Sequence, residues 1–327
     1  MDAVDHALLA QLRRNGRARQ QELAAALGIS RSAVAGRLRV LLDSGAVQVV
    51  GVVHPSVMGL HAVAHLSVRV SRPVTEVAAA LARHDDTPFV SLISGSSDLV
   101  AEVRAPGPAE LAVALERVRS TDGVAGVTTL TYSSLELDVL RPAPGSEKDV
   151  DAIDLMLLEL LLDDGRMSLS EMSRRTGLSS GTVRSRTRRL LDEQIIKVGA
   201  LASSEFGGAS LAIGLGIQVS GRVRPVIDAL AATPTTRFLA TTTGRFDMLA
   251  TVHAGTTLQG VQLVDAVRQF PQVASLESWV HLHVVKERYR PAPPGSGHLE
   301  ASALRSDDEP VVGAAMVRAL VREGEQT

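Results

Sequence analysis

Written above itself with an offset of 149 residues, the sequence repeats. Asp5 falls on Asp154, Gly16-Arg17 on Gly165-Arg166, Glu22 on Glu171, Gly28 on Gly177, Ser30 on Ser179 and Val34 on Val183. The same offset carries Arg37 onto Arg186, Leu41-Leu42-Asp43 onto Leu190-Leu191-Asp192, Gly59 onto Gly208, Gly95 onto Gly244, Asp98 onto Asp247 and Arg119 onto Arg268, without a gap. A constant offset over that length is a duplication. Two copies are too few for a solenoid, whose units bury their cores only by stacking three or more, so each copy has to close a core of its own.

Each copy divides where the apolar period changes. The expected domains are 1–52 and 53–140 in the first copy and 150–201 and 202–290 in the second. RPAPGSEKD, from Arg141 to Asp149, reads as the linker, rich in Pro, Gly and charge. A similar stretch from Arg290 opens a tail, 291–327, in which Val311, Val312, Ala315, Met316 and Leu320 mark one side of an expected helix from Asp308 to Glu323.

The opening residues of each copy read as three short helices. Val4, Leu8, Leu9 and Leu12 recur at helical spacing, as do Ile153, Leu157, Leu158 and Leu161. Gly16 and Gly165 end those helices. A second helix, from about Gln20 to Leu27, carries Leu23 and Leu27 inward, and Gly28 turns the chain. Ser30 then caps a third helix with Val34, Leu38 and Leu41 facing the core. The second copy repeats this from Ser179, with Thr187 in place of the middle apolar residue. A Gly turn between short helices, followed by a capped third, is the helix-turn-helix pattern. After it, Val47 to Val53, or Ile195 to Ala202, reads as a wing or linking strand.

The other face of the third helix points to DNA. It offers Ser30, Arg31, Ser32, Arg37 and Arg39 in one copy and Ser179, Ser180, Thr182, Arg184, Arg186, Arg188 and Arg189 in the other, and from Ser30 to Leu42 and from Ser180 to Leu191 there is no acid. Arginine bonds phosphates or forks onto a guanine edge, and the hydroxyls reach phosphate or base. Residues 1–50 hold seven basic and four acidic side chains, a net of +3, whereas 51–140 hold six and ten, a net of -4. A basic head thus sits on an acidic body. Residues 151–200 hold eight of each sign, so the second head must rely on local arginines and is expected to be the weaker reader.

The rest of each copy alternates strands and helices in the order β-α-β-β-α-β: His61 to Val70, Val74 to His84, Phe89 to Ser94, Leu99 to Arg104, Ala109 to Thr121 and Val124 to Asp138, with a parallel series from Leu211 through Val285. This is the ferredoxin-like arrangement, an antiparallel sheet with both helices on one face. Its bare face needs a partner, and sheet-to-sheet pairing of the two copies supplies one. The fold class is therefore α+β, two winged helix-turn-helix domains alternating with two ferredoxin-like domains. A fused chain of this kind either pairs its own copies as an internal pseudo-dimer or forms a homo-oligomer through equivalent copies.

ISRSAVAGRLRVLLDSGAV, followed by HPSVMGLHAVAHLSVRV and by GSSDLV, resembles the Lrp/AsnC family of leucine- and asparagine-responsive regulators. The resemblance covers nearly the whole chain, twice, although the family's usual architecture is a single unit. It implies a DNA-binding transcription regulator whose β-α-β-β-α-β domains pair and bind an amino acid, with the helices from Ser30 and Ser179 as recognition helices. It further implies that Gly95-Ser96-Ser97-Asp98 and Gly244-Arg245-Phe246-Asp247 lie at the effector pocket. A glycine-opened turn exposes N–H groups to a carboxylate, and an aspartate accepts from an ammonium, but Gly and Asp also suit a tight hairpin for its own geometry. The copies differ at the two middle positions, which implies different ligand preferences or a single working pocket.

Two alternatives remain. The siroheme decarboxylases share this two-domain pattern, and they carry histidine and bulky aromatics around the hairpin where this chain has SSDLV and RFDML. The other is an interaction module that has lost DNA binding, against which the arginine-rich helices argue. His61 with His65 and His281 with His283 read as packing or surface residues rather than metal ligands. No nucleophile elbow, phosphate loop or carboxylate pair appears, so no catalytic residue, metal or cofactor is expected. The absence of cysteine fits a reducing cytosol. No signal peptide or membrane-length apolar run is seen, so a cytoplasmic protein without a membrane partner is expected.

Overall fold

The computed structural model describes residues 2–138, 149–202 and 211–288. All of the expected linker except Asp149, and the whole tail with its helix from Asp308 to Glu323, lie outside the described residues.

The first copy opens with helices α1 (Ala3–Arg14), α2 (Gln20–Leu27) and α3 (Arg31–Asp43). Asp2 and Asp5 form a capping box at the start of α1, each side chain accepting from the other's backbone N–H at 2.9 Å. Gly28, at φ 66°, ends α2 in the left-handed region that favours glycine, and Ser30 caps α3 by accepting from the Ala33 N–H at 3.2 Å. Leu8, Leu12, Leu23, Val34, Leu38 and Leu41 make the common core. The chain continues through β1 (Val47–Val53), a 3-10 turn at Pro55–Met58, β2 (Ala62–Val70), α4 (Val74–Ala82), β3 (Phe89–Ile93), β4 (Leu99–Ala105), α5 (Pro108–Arg119) and β5 (Val124–Leu137). The second copy gives α6 (Ala152–Asp163), α7 (Leu169–Thr176), α8 (Ser180–Asp192), β6 (Ile196–Ala202), β7 (Leu211–Val219), α9 (Arg224–Ala232), β8 (Thr236–Thr243), β9 (Met248–Ala254), α10 (Thr257–Arg268) and β10 (Val273–Glu287). Thr187 is buried where the first copy has Leu38.

The strand after each helix-turn-helix is neither a free wing nor a mere link: β1 pairs antiparallel with β6. Val50 stands opposite Gly199, its own duplicate, and the register runs symmetrically outward to Val47 opposite Ala202 and Val53 opposite Ile196. The two copies are therefore related by a pseudo-twofold axis through this pair, and the chain is an internal pseudo-dimer. The loops on either side follow the same symmetry. The Gly16 N–H donates to the Val198 carbonyl and the Gly165 N–H to the Val49 carbonyl, both at 2.9 Å.

Below this layer the two ferredoxin-like sheets, β5-β2-β4-β3 and β10-β7-β9-β8, do more than face each other. They join edge to edge, β5 on β8 and β10 on β3, into one closed eight-stranded barrel. The seams are duplicates: Tyr132 opposite Thr242 in one answers His281 opposite Ile93 in the other. Closure leaves neither sheet an unpaired edge, which open sheets have to protect. Outward residues such as Leu66, Leu99 and Val103, or Leu215, Met248 and Val252, pack under the helices of their own copy. Inward ones share a core built from both copies: Ile93, Val100 and Leu130 against Phe246, Leu249 and Trp279.

Inside the barrel the copies have diverged in a complementary way. The first contributes His65, Ser67, Glu102 and Arg104, all buried, at positions where the second has Gly214, Gly216, Thr251 and His253. Trp279 and Phe246 occupy the room left by the two glycines, since a Cβ at Gly214 would collide with the indole and one at Gly216 with the Phe246 ring. Arg104 donates from Nε to Glu102 Oε1 at 2.5 Å and from Nη2 to Asp138 at 3.3 Å, while Tyr132 donates to Glu102 Oε2 at 3.0 Å. Of the histidines read from sequence as packing or surface residues, His65 is buried in the barrel and His281 is half-buried beside Phe89.

Candidate nucleic-acid interface and sensing hairpins

The arginines of the two third helices fall into two groups. Arg31 and Arg39 on α3, and Arg184 and Arg188 on α8, are exposed and carry no ion pair among the described residues. Ser32, Ser180 and Thr182 lie beside them on the first turns, and the capping Ser30 and Ser179 spend their hydroxyls on the Ala33 and Thr182 N–H groups.

Arg37, Arg186 and Arg189 turn the other way, toward the first helix of their own copy. Arg37 Nη1 meets Asp2 and Asp5 at 2.7 Å each, and Arg186 Nη1 meets Asp151 at 2.7 Å and Asp154 at 3.2 Å. Arg189 also bonds Asp154, whose side chain is fully buried, and its counterpart in the first copy is the exposed Val40. Hydrogen bonds donated to the Asp5 and Asp2 carboxylates raise the Arg37 pKa, and those that Asp2 accepts from the Asp5 N–H and Arg37 hold its carboxyl below the ordinary value. The Asp151 carboxyl is likewise held down, first by the Asp154 N–H. These three arginines, expected from sequence at the DNA surface, thus tie the third helix to the capping box of the first. The acidic partners were missed from sequence, although Asp5 and Arg37 recur as Asp154 and Arg186 at the same separation.

The hairpin residues also divide. Gly95 and Gly244 have φ 125° and 144°. A Cβ on Gly244 would strike Leu130 of the first copy, and one on Gly95 would stand 3.6 Å from Trp279 of the second, so each hairpin accepts the other copy's barrel residue. Asp98 accepts from the Val70 N–H at 2.8 Å and Asp247 from the Val219 N–H at 2.7 Å, so both carboxylates hold their own hairpins. Phe246 is buried in the barrel, and Ser97 is half-buried.

That leaves Ser96 and Arg245, from opposite copies, meeting on Glu277 of β10. Ser96 Oγ donates to Glu277 Oε1 at 2.6 Å and Arg245 Nη1 to Oε2 at 2.9 Å, with the guanidinium 4.3 Å above the Phe246 ring. Gln218 donates to the Arg245 carbonyl at 2.8 Å. Glu277 has no carboxylate counterpart, because the first copy carries Thr128 there, and the repeat gave no hint of it. Among the described residues no group of three or more His, Cys, Asp or Glu can hold a metal, and no helix is long and apolar enough to cross a membrane.

A winged helix-turn-helix DNA-binding family model matches this chain at residues 1–48 and again at 150–197. An uncharacterized HTH-type transcriptional regulator of Pyrococcus abyssi is 36% identical over 116 residues, 35% of this chain and 73% of the relative, so one relative spans one copy. The leucine response regulatory protein of Mycobacterium tuberculosis is 25% identical, over 41% of this chain and 92% of that one, with a TM-score of 0.35. Over the full tandem the fold resembles the siroheme decarboxylase NirDL, at a TM-score of 0.58 and 12% identity, covering 87% of this chain and 92% of that one. The two matched helix-turn-helix segments, each followed by a ferredoxin-like half-barrel, and the identity to a single-unit regulator place the chain in the Lrp/AsnC-type family of helix-turn-helix transcriptional regulators, as a tandem member.

Proposed function

We propose that one chain reads duplex DNA with both of its third helices at once, and that an amino acid bound between the hairpins modulates the reading. The observation that carries the DNA half is the exposed, unpaired set Arg31, Arg39, Arg184 and Arg188, on two helices related by the pseudo-twofold axis through Val50 and Gly199. An arginine of this kind bonds phosphate through charge or guanine through its fork. Arg37, Arg186 and Arg189 position the helices and do not touch DNA in this reading.

The effector half rests on the Arg245–Glu277 pair, which offers a cation to a carboxylate and an anion to an ammonium where Ser96 of the other copy also meets Glu277. This reading favours a single working site, since the counterparts Ser96 and Thr128 carry no charge. The likeness to a siroheme decarboxylase is one of fold, and the relatives named as regulators favour a non-enzymatic role.

The test is a gel-shift titration on the DNA upstream of the protein's own coding sequence at two salt concentrations, repeated with a panel of amino acids. Specific, salt-sensitive retention altered by one amino acid supports both halves. No retention at low salt sinks the DNA reading. Retention indifferent to every amino acid sinks only the effector reading.

A further inference from the structure

We infer that the target of this protein is an asymmetric, directional duplex sequence, two unlike half-sites read by one chain, and not the palindrome that a homodimer requires. The inference rests on the DNA-binding reading above and deepens it.

A symmetric dimer presents one recognition helix twice, so its operator mirrors its twofold axis. Here the backbone keeps that axis. The Val50–Gly199 register, the duplicate seams of the barrel and the reciprocal Gly16 and Gly165 hydrogen bonds all obey it. The two helices therefore carry side chains from equivalent backbone positions, and any difference in what they read lies in the side chains themselves.

Those side chains differ on the outward face, and inside they agree only in part, since Leu38 becomes Thr187. The inward Val34 recurs as Val183, and the bracing Arg37 as Arg186. Outside, Arg31 is replaced by Ser180, Ala33 by Thr182 and Ala35 by Arg184. Of the unpaired arginines only Arg39 and Arg188 correspond. The variable arginine thus sits at the first residue of α3 but four residues further along α8. That is one helical turn, about 6 Å of rise, comparable with two base-pair steps. An arginine fork moved by that distance meets a different base pair of its half-site. Thr182 further adds a hydroxyl where Ala33 offers only a methyl group. The fused chain permits this, because each helix exists once per chain and can change without its twin.

The shared pair Arg39 and Arg188 fits a different role, a symmetric contact to the phosphates. Phosphate contacts position a protein without reading sequence, whereas base contacts specify.

The experiment is selection of bound sequences from a random duplex pool by the full chain, followed by the same selection with R31A, R184A and the double variant R39A/R188A. The wild type should enrich a motif whose two halves differ. R31A should erase base preference in one half only and R184A in the other half only, each by roughly 10- to 100-fold at the affected base. R39A/R188A should weaken binding to every sequence alike. Trp279 fluorescence, from the only tryptophan, checks that each variant keeps its barrel. A palindromic motif, or an R31A effect on both halves equally, overturns the inference and leaves the DNA-binding reading standing. Absence of any enriched duplex overturns both.

Discussion

Arg17 and Arg166 are duplicates that hold each other's copy. Arg17 donates from Nη1 to the Gly165 carbonyl at 2.5 Å and from Nη2 to the Met167 carbonyl at 3.0 Å, while Arg166 donates to the Gly16 carbonyl at 2.6 Å and the Ala18 carbonyl at 3.4 Å. Each guanidinium, half-buried, spans the pseudo-twofold axis and satisfies carbonyls just past the first helix of the other copy. Burial lowers the pKa of both, Arg17 further by its proximity to Arg166. Removing either fork should loosen the pairing of the DNA-reading domains. R17A and R166A should each cost about 1 to 2 kcal/mol, measured by urea unfolding, and R17K should not restore it, because an ammonium lacks the planar fork.

The glycine before each arginine is required by space. A Cβ on Gly16 would stand 2.7 Å from a Val49 methyl and 2.9 Å from the Gly199 backbone. Backbone cannot rotate away, so G16A should destabilise by roughly 1 to 3 kcal/mol and open the β1–β6 contact. Faster amide hydrogen exchange along Val47–Val53 than in the barrel strands is the expected reading, and unchanged exchange would count against the close approach.

Trp279 over Gly214 gives the barrel a built-in reporter. W279A should remove roughly 3 to 5 kcal/mol of packing, and G214A should force the indole out of place, with an emission shift already present before unfolding. An unshifted spectrum for G214A would mean that the indole does not rest on this glycine.

Burial, first among the causes, holds the His65 pKa at about 3 and those of His253 and His281 at about 4, each against an unfolded value of 6.5. Between pH 6.5 and about 4 the unfolded chain binds these protons and the folded chain does not, so stability is full above that window and falls as pH drops through it. Each histidine contributes a slope of up to about 1.4 kcal/mol per pH unit. Thermal melting points should decline from pH 7 to pH 5, and H281Q should make the decline shallower.

The two classes of arginine separate by experiment. R37A should lower the melting point of its helix-turn-helix domain while leaving sequence preference intact. R39A should do the opposite, weakening DNA retention with melting unchanged. Equal loss of DNA retention in both, with no loss of stability in R37A, would return Arg37 to the DNA surface.

Much of this architecture was legible in the residues. The offset fixed two equivalent units. The caps at Ser30 and Ser179, the turns at Gly28 and Gly177 and the period of Leu8, Leu12, Val34 and Leu38 are local signals, and local backbone and helical spacing decide such elements within a few residues. The β-α-β-β-α-β order likewise implied one sheet face for the helices and one for a partner. What only the tertiary structure decided are pairings across long separations, which no local period encodes. These are β1 with its duplicate β6, the edges that close the barrel, Arg37 turned inward to Asp2 and Asp5 while Arg39 turns out, and Ser96 and Arg245 brought from opposite copies onto Glu277. An arginine-rich helix face looks the same in sequence whether its charges meet carboxylates or solvent. The direction of each guanidinium is chosen by which acid the fold carries within reach, and that choice is made only when the capping box of the first helix packs against the third.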